Sequence, residues 1–349
     1  MEDNLVLIAF LALTCLAVLC LYLFFGKYAF QKAKQVSWPK LLAGNALVLF
    51  LLASLALLGG EVYFRFCYDT TDSFTVTKTS QRWFERHFHQ NNAGFRDNVD
   101  YSMSKSPWRR RVSFIGDSFT VGHGIADVDR RFANRIRALH AEWDIQVIAQ
   151  TGLDTGGELN LLNTLFSARY ECDQVVLVYC LNDIDDADPR WAERYAKIDE
   201  RWRNHRPGFV FEHSYLFNTL YYRAWVHTFP ELAGYYRCDH EAYLGAPWQT
   251  QRRWLQAMRE LVQAHGGRLA VVTFPYMHLM GPAYEFKDVH RQLDEFWRSI
   301  DVPHLDLLPV FMPYPPRKLM VNAHDAHPNE LAHALAADAM TPFLERLLK

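Results

Sequence analysis

Ser118 stands in the stretch VSFIGDSFTVGHG, residues 112–124, directly after a short apolar run. Serine is a weak nucleophile until a base takes its proton. His327 can be that base: it follows Asp325 by two positions in HDAHPN, residues 324–329. The carboxylate would hold the imidazole in the tautomer that leaves its second nitrogen free. Acyl transfer also builds an oxyanion, which needs donors aimed at it. The backbone N–H of Ser118, the N–H of Gly152 and the side-chain amide of Asn182 are the candidates. Gly152 suits the role because the missing Cβ lets a substrate approach the backbone. Two other histidines crowd the block. His333 is expected two turns into the closing helix, and His324 lacks a carboxylate in the usual place before it, so His327 is the expected base.

Taken singly, each piece also reads as ordinary structure. GDS and ND are turns, TG is a common helix start, and HPN starts a helix with Pro328 at its first position. Their order and placement carry more weight. RVSFIG is an expected strand, followed by a helix over 129–141. DIQVIAQTG, QVVLVYCLND, RLAVVTFP and VPHLDLL are further expected strands, with helices at GELNLLNTLFSARY, WQTQRRWLQAMRELVQAHGG and PNELAHALAADAMTPFLERLL. Strands separated by helices predict an α/β fold, a parallel sheet with helices on both faces. In such sheets ligands gather at the C-terminal strand ends. Asp117-Ser118, Thr151-Gly152 and Asn182-Asp183 each end a strand, and a loop before the last helix can return His327 to the same edge. Residues 185–247 break the rhythm and are expected to be a mostly helical insertion, either a packing layer or an acceptor-binding surface near a membrane.

IGDSFTVGHG, AQTG, YCLND and DAHPN together resemble the four blocks of the SGNH, or GDSL-type, hydrolase family over about residues 110–345. By that resemblance Ser118, Gly152, Asn182 and His327 match the residues that name the family, and Asp325 matches the triad acid. NNAGFRD, before the first strand, resembles the approach segment of membrane-anchored bacterial members. The resemblance implies a three-layer α/β/α flavodoxin-like fold and ester or thioester hydrolysis without metal or cofactor. Some relatives instead move acyl groups on cell-envelope polysaccharides. Two departures stand out. Cys180 replaces the glycine of the third block, which would tighten the oxyanion loop. Asp325 lies one residue closer to the histidine than is usual, and His324 occupies the usual position.

The chain has 349 residues and a formal net charge of −2, which gives no basic surface for nucleic acid. Residues 5–25 and 41–60 are apolar runs of about 20 residues, long enough to cross a membrane. The acidic start MEDN argues against a cleaved signal peptide. Lys27, Lys32, Lys34 and Lys40 in the link put that link in the cytoplasm and the rest outside. The expected organisation is a two-helix anchor (1–60), a juxtamembrane segment (61–107) and a hydrolase-like domain (108–349) outside the cell membrane. Cys67, Cys172, Cys180 and Cys238 allow three full disulfide pairings, among which the sequence does not choose. VGHGIAD lacks the third glycine of a dinucleotide fingerprint, DIDDADP lacks the glycine and glutamate of a calcium loop, and HDAH is no HExxH zinc motif. The expected activity is a serine esterase removing acyl groups, acetyl foremost, from an envelope glycan or lipid. The alternatives are an O-acyltransferase with the same triad and a non-catalytic polysaccharide-assembly module.

Overall fold

Apolar runs of β-branched residues form the sheet of the computed structural model, which describes residues 2–29 and 37–349. Arg110–Gly116 (β1), Trp143–Ala149 (β2), Gln174–Cys180 (β3), Arg268–Phe274 (β4) and His304–Asp306 (β5) lie parallel in the order β2-β1-β3-β4-β5. β3 is buried at every position, as a strand covered on both faces must be. β1 pairs with β2 through Gly116↔Ala149 and with β3 through Gly116↔Val178. The strand order therefore reverses at β1, and right-handed crossovers send successive helices to opposite faces there. The helix Phe132–Leu139 packs with the closing helix Glu330–Leu347, while Thr155–Ser167 packs with Ala246–Ala264. This is the doubly wound, flavodoxin-like α/β arrangement expected from the sequence.

One expectation is corrected at the chain end. Asp325–Pro328 (β7) is a strand, not a loop, and pairs antiparallel with Met320–Asn322 (β6). Pro328 pairs with Met320 and so is not the first helical residue. Asn329 caps the helix instead, its Oδ1 accepting from the N–H groups of Leu331 and Ala332 at 3.0 and 3.1 Å. Its Nδ2 donates to the carbonyls of Lys318 and Met320, which ties the helix start to the ribbon.

The chain divides into two compact units. One comprises Thr70–Phe74, Trp83–Arg203 and Phe229–Lys349 and holds both sheets. The other comprises Met1–Asp69, Thr75–Arg82 and Asn204–Thr228. Its helices Glu2–Ala29 and Trp38–Val62 pack on each other and are long and apolar enough to cross a membrane. Little of either apolar stretch is buried, unlike the core helix of a soluble protein. The second helix continues past the expected boundary at residue 60 into a widened turn, Tyr63–Cys67. Residues 185–247 are largely helical; Asn204–Thr228 groups with the two N-terminal helices and the remainder with the sheet. Lys32 and Lys34, which contribute to the expected orientation, lie outside the described residues. All six cysteines are free.

NNAGFRD acquires a structural task. Arg96 donates to the carbonyls of Gly122 (2.6 Å), Val121 and Ile125, and so holds the loop that follows Ser118. Asp97 is buried against Arg131 and Arg137, and Tyr101 donates to it. Burial alone would raise the Asp97 pKa, but the Arg137 hydrogen bonds and the two guanidinium charges bring it down to about 2. Its stabilising effect is thus complete above the unfolded carboxyl value of about 3.9 and is lost as pH falls through about 2. Asp97→Ala leaves the fully buried Arg131 without its carboxylate. The expected cost is about 3–5 kcal/mol, measured by denaturant unfolding of the full chain at neutral pH. A loss below 1 kcal/mol, on the order of a surface pair, would contradict this account.

Candidate active site

β1 ends at Gly116, and the chain turns at once into a single helical turn, Ser118–Val121. Asp117 forms its cap, with Oδ1 accepting from the Phe119 N–H at 2.8 Å. The turn sets Ser118 at the carboxyl edge of the sheet. His327 Nε2 lies 2.9 Å from Ser118 Oγ, and His327 Nδ1 lies 2.5 Å from Asp325 Oδ1. The structure therefore joins Ser118, His327 and Asp325, three of the residues expected from sequence, in one hydrogen-bonded chain. His333 is fully buried elsewhere, its Nδ1 accepting from the Phe132 N–H at 3.2 Å and its ring stacked on Phe132.

Electrostatics suit a serine–base pair. Burial disfavours charge on His327, but the Asp325 carboxylate outweighs it and holds the imidazole pKa above its ordinary value. Asp325 is also buried, yet the His327 charge and its histidine contacts hold its carboxyl well below the usual range. Asp117 moves the other way, pushed up by burial.

Gly152 follows β2 with φ +77°, and no atom lies within 4 Å of where a Cβ would stand. Its backbone conformation favours glycine, and the space beside it is open. Asn182 follows β3 and lies close enough to Asp117 to favour its charged form. Cys180 has φ −99° and ψ 152°, an extended conformation any residue adopts, so the missing glycine costs the backbone nothing there.

Sequence reasoning passed over two residues at this centre. His123 stacks on His327 with ring centroids 3.9 Å apart and 13° between planes. Its Nε2 lies 3.2 Å from Asp325 Oδ2, at contact distance but outside hydrogen-bond alignment. Burial and the neighbouring His327 charge push its pKa down, so it packs as a neutral ring. Thr71 donates its hydroxyl to Asp325 Oδ2. The only available signal was the histidine in VGHG, which reads as part of a glycine turn. Thr71, 254 residues from Asp325, gave none. One ligand atom each from His123, Asp325 and His327 falls within 4.8 Å of the others. Both His327 nitrogens are already engaged, so a metal there would displace either the Asp325 or the Ser118 contact.

No family model matches the chain, and no curated protein matches it. Solved structures do show likeness. A member of the lipolytic G-D-S-L family from Veillonella parvula is 13% identical with a TM-score of 0.39, covering 66% of this chain and 95% of its own. The esterase EstA from Pseudoalteromonas sp. is 16% identical with a TM-score of 0.41, covering 68% and 98%. A two-domain esterase active on acetylated mannans is 12% identical with a TM-score of 0.37, covering 80% and 55%. Likenesses this distant carry no functional argument, which rests on the geometry of the site.

Because Asp325 is what outweighs burial at His327, Asp325→Asn should drop the His327 pKa from above to below the ordinary value of about 6.5. Histidine-selective NMR titration reads this directly. An unchanged pKa would mean that another group sustains the imidazolium.

Proposed function

We propose that the chain is a membrane-anchored serine ester hydrolase that removes acyl groups, acetyl foremost, from a glycan or lipid of the cell envelope. The observation that carries this reading is the hydrogen-bonded chain Ser118–His327–Asp325 at the carboxyl edge of a doubly wound sheet. His327 takes the Ser118 proton as Oγ attacks the acyl carbon, and Asp325 orients the ring and stabilises the imidazolium. The Ser118 N–H, the Gly152 N–H and the Asn182 amide are assigned to the oxyanion. His327 then returns its proton to the departing alcohol. Water, deprotonated by the same ring, releases the acid and restores Ser118. Ser118 is only 8% exposed, which favours a compact acyl group over a long chain.

The two long apolar helices support the anchor, and the lysines of the link support a catalytic unit outside the cytoplasm. An alkaline phosphatase fusion after Ser73 should then be active and one after Lys34 inactive. The reverse pattern would remove the envelope substrate from the proposal.

A fluorophosphonate probe tests the chemistry. Wild-type protein should label at one serine, and Ser118→Ala should lose both labelling and aryl-acetate turnover while keeping its circular dichroism. His327→Ala should lose nearly as much, with the double variant little worse, since such residues act as a unit. Asn182→Ala should lower kcat by about 10²–10³ with little change in KM. In the parent, kcat/KM should fall on acidification through an apparent pKa above about 6.5, because His327 works only when neutral and its pKa is raised. Labelling that survives Ser118→Ala would place the nucleophile elsewhere.

A further inference from the structure

Within the unit that contains the two long apolar helices, Glu61 is a conspicuous residue. It sits at the end of the second helix, fully buried. An ionisable group at that depth is costly and has to be answered. Its Oε1 accepts from Arg65 Nε at 3.0 Å and from the Tyr215 N–H at 3.1 Å. Its Oε2 accepts from Ser214 Oγ at 2.6 Å and the Leu216 N–H at 3.0 Å. Ser214 Oγ in turn accepts from the Phe217 N–H at 3.0 Å. These bonds occupy the first N–H groups of the helix Tyr215–Val226, which a helix start leaves unpaired. On the other side of the break, Asn218 Nδ2 donates to the Phe211 carbonyl at 2.8 Å. The N–H groups that follow the break between these two helices are thereby paired by side chains. Hydrocarbon imposes that condition on irregular backbone, and water does not.

The flanking apolar residues lie at matching depth. Phe217 meets Phe10 edge to face at 6.1 Å. Phe10 lies eight residues beyond Glu2, about 12 Å along the first helix at 1.5 Å per residue. Leu216 approaches Gly60 so closely that a Cβ there would lie 2.9 Å from its Cδ2. The helix Phe209–His213 leaves Phe209, Val210 and Phe211 exposed at 52%, 43% and 39%. Three consecutive large apolar side chains are thus exposed on a short helix that packs on the first long helix, an exposure that water would penalise.

We propose that residues 208–220 form a third membrane-embedded element: a wedge that inserts Phe209, Val210 and Phe211 into the leaflet where the two long helices begin and end, with Glu61 sealing its break. The occupant of this surface is the acyl region of the bilayer. The inference rests on the reading of the two helices as spans and goes beyond it.

The test uses the full chain in phosphatidylethanolamine–phosphatidylglycerol vesicles, with the accessible native cysteines replaced. A nitroxide is placed at Val210→Cys and, as a neighbouring check, at Phe209→Cys. Leu19→Cys on the first helix and Arg298→Cys on the exposed surface serve as references. Collision with oxygen is compared with collision with a water-soluble nickel chelate. Labels at 209 and 210 should share the oxygen preference of position 19 and exceed the oxygen-to-nickel ratio at position 298 at least tenfold. A ratio like that of position 298, with position 19 in lipid, would overturn the wedge alone. Shielding from both reagents with spin–spin broadening would overturn it in favour of a second copy of the chain. An aqueous signal at position 19 would overturn the spanning reading and the wedge with it.

Discussion

A buried carboxylate must be met by donors on both oxygens, and the edge of the sheet that holds Ser118 and His327 is arranged around that requirement at Asp325. Oδ1 accepts from the N–H and the Nδ1 of His327, at 3.1 and 2.5 Å. Oδ2 accepts from Thr71 and faces His123. Thr71 reaches the site because residues 70–74 strap the β6–β7 ribbon. Asn322 Nδ2 donates to Thr70 Oγ1 and the Thr71 carbonyl, the Ser73 N–H donates to the His324 carbonyl, and the Ala326 N–H donates to Ser73 Oγ. That strap explains why a five-residue piece of the approach segment belongs to the sheet unit while its neighbours on both sides do not. Gly124 completes the approach. Its φ is +81°, and a Cβ there would stand 2.4 Å from Val321 Cγ2 and 3.0 Å from Thr71 Oγ1, so a side chain would push ribbon and strap away from the serine.

The same logic recurs behind Ser118. Arg96 spends its guanidinium on three carbonyls of the loop 121–125, and Arg131 donates to the carbonyls of Arg96 and Val121. Two buried cations side by side would repel, and burial with the Arg131 charge lowers the Arg96 pKa to about 9. Asp97 offsets the repulsion by pairing with Arg131. The segment that sequence offered only as an approach to the domain is therefore a clamp on the loop that follows Ser118.

Much of this was legible, for definite reasons. Parallel strands buried on both faces are continuous apolar runs, so β1 to β4 could be read directly. The polar residues closing β1, β2 and β3 could be assigned to one edge because parallel strands all end on the same side. The β6–β7 ribbon was not legible. Its strands are three and four residues long, half-polar, and held by Asn329 and the distant strap more than by any periodicity. His123 escaped for a related reason: its function is defined by a ring at His327 that the chain reaches only after the whole sheet is built. The grouping of Asn204–Thr228 with the N-terminal helices is marked by the bonds of Glu61, a lone acid that no sequence pattern links to residues 153 to 155 positions away.

Acyl transfer raises a last electrostatic question, because it develops negative charge at an edge crowded with carboxyl groups. Asp117, Asp154, Glu158 and Asp183 all lie in or beside the turns after β1, β2 and β3. Fully ionised, they would oppose the oxyanion that the proposed mechanism requires. Burial opposes this. It raises Asp117, and together with repulsion from neighbouring carboxylates it pushes Asp154 up to about 8 and holds Glu158 and Asp183 well above their ordinary values. Among the described residues neither oxygen of Glu158 has a hydrogen-bond partner, a situation a neutral acid tolerates far better than an anion. Burial thus works against charge at Glu158, Asp154 and Asp183, whereas the donors on both oxygens of Asp325 favour its charged form. Negative charge is favoured where it would stabilise an imidazolium and disfavoured where the proposed oxyanion would form. That division, more than the presence of the three residues themselves, makes the edge suited to acyl transfer.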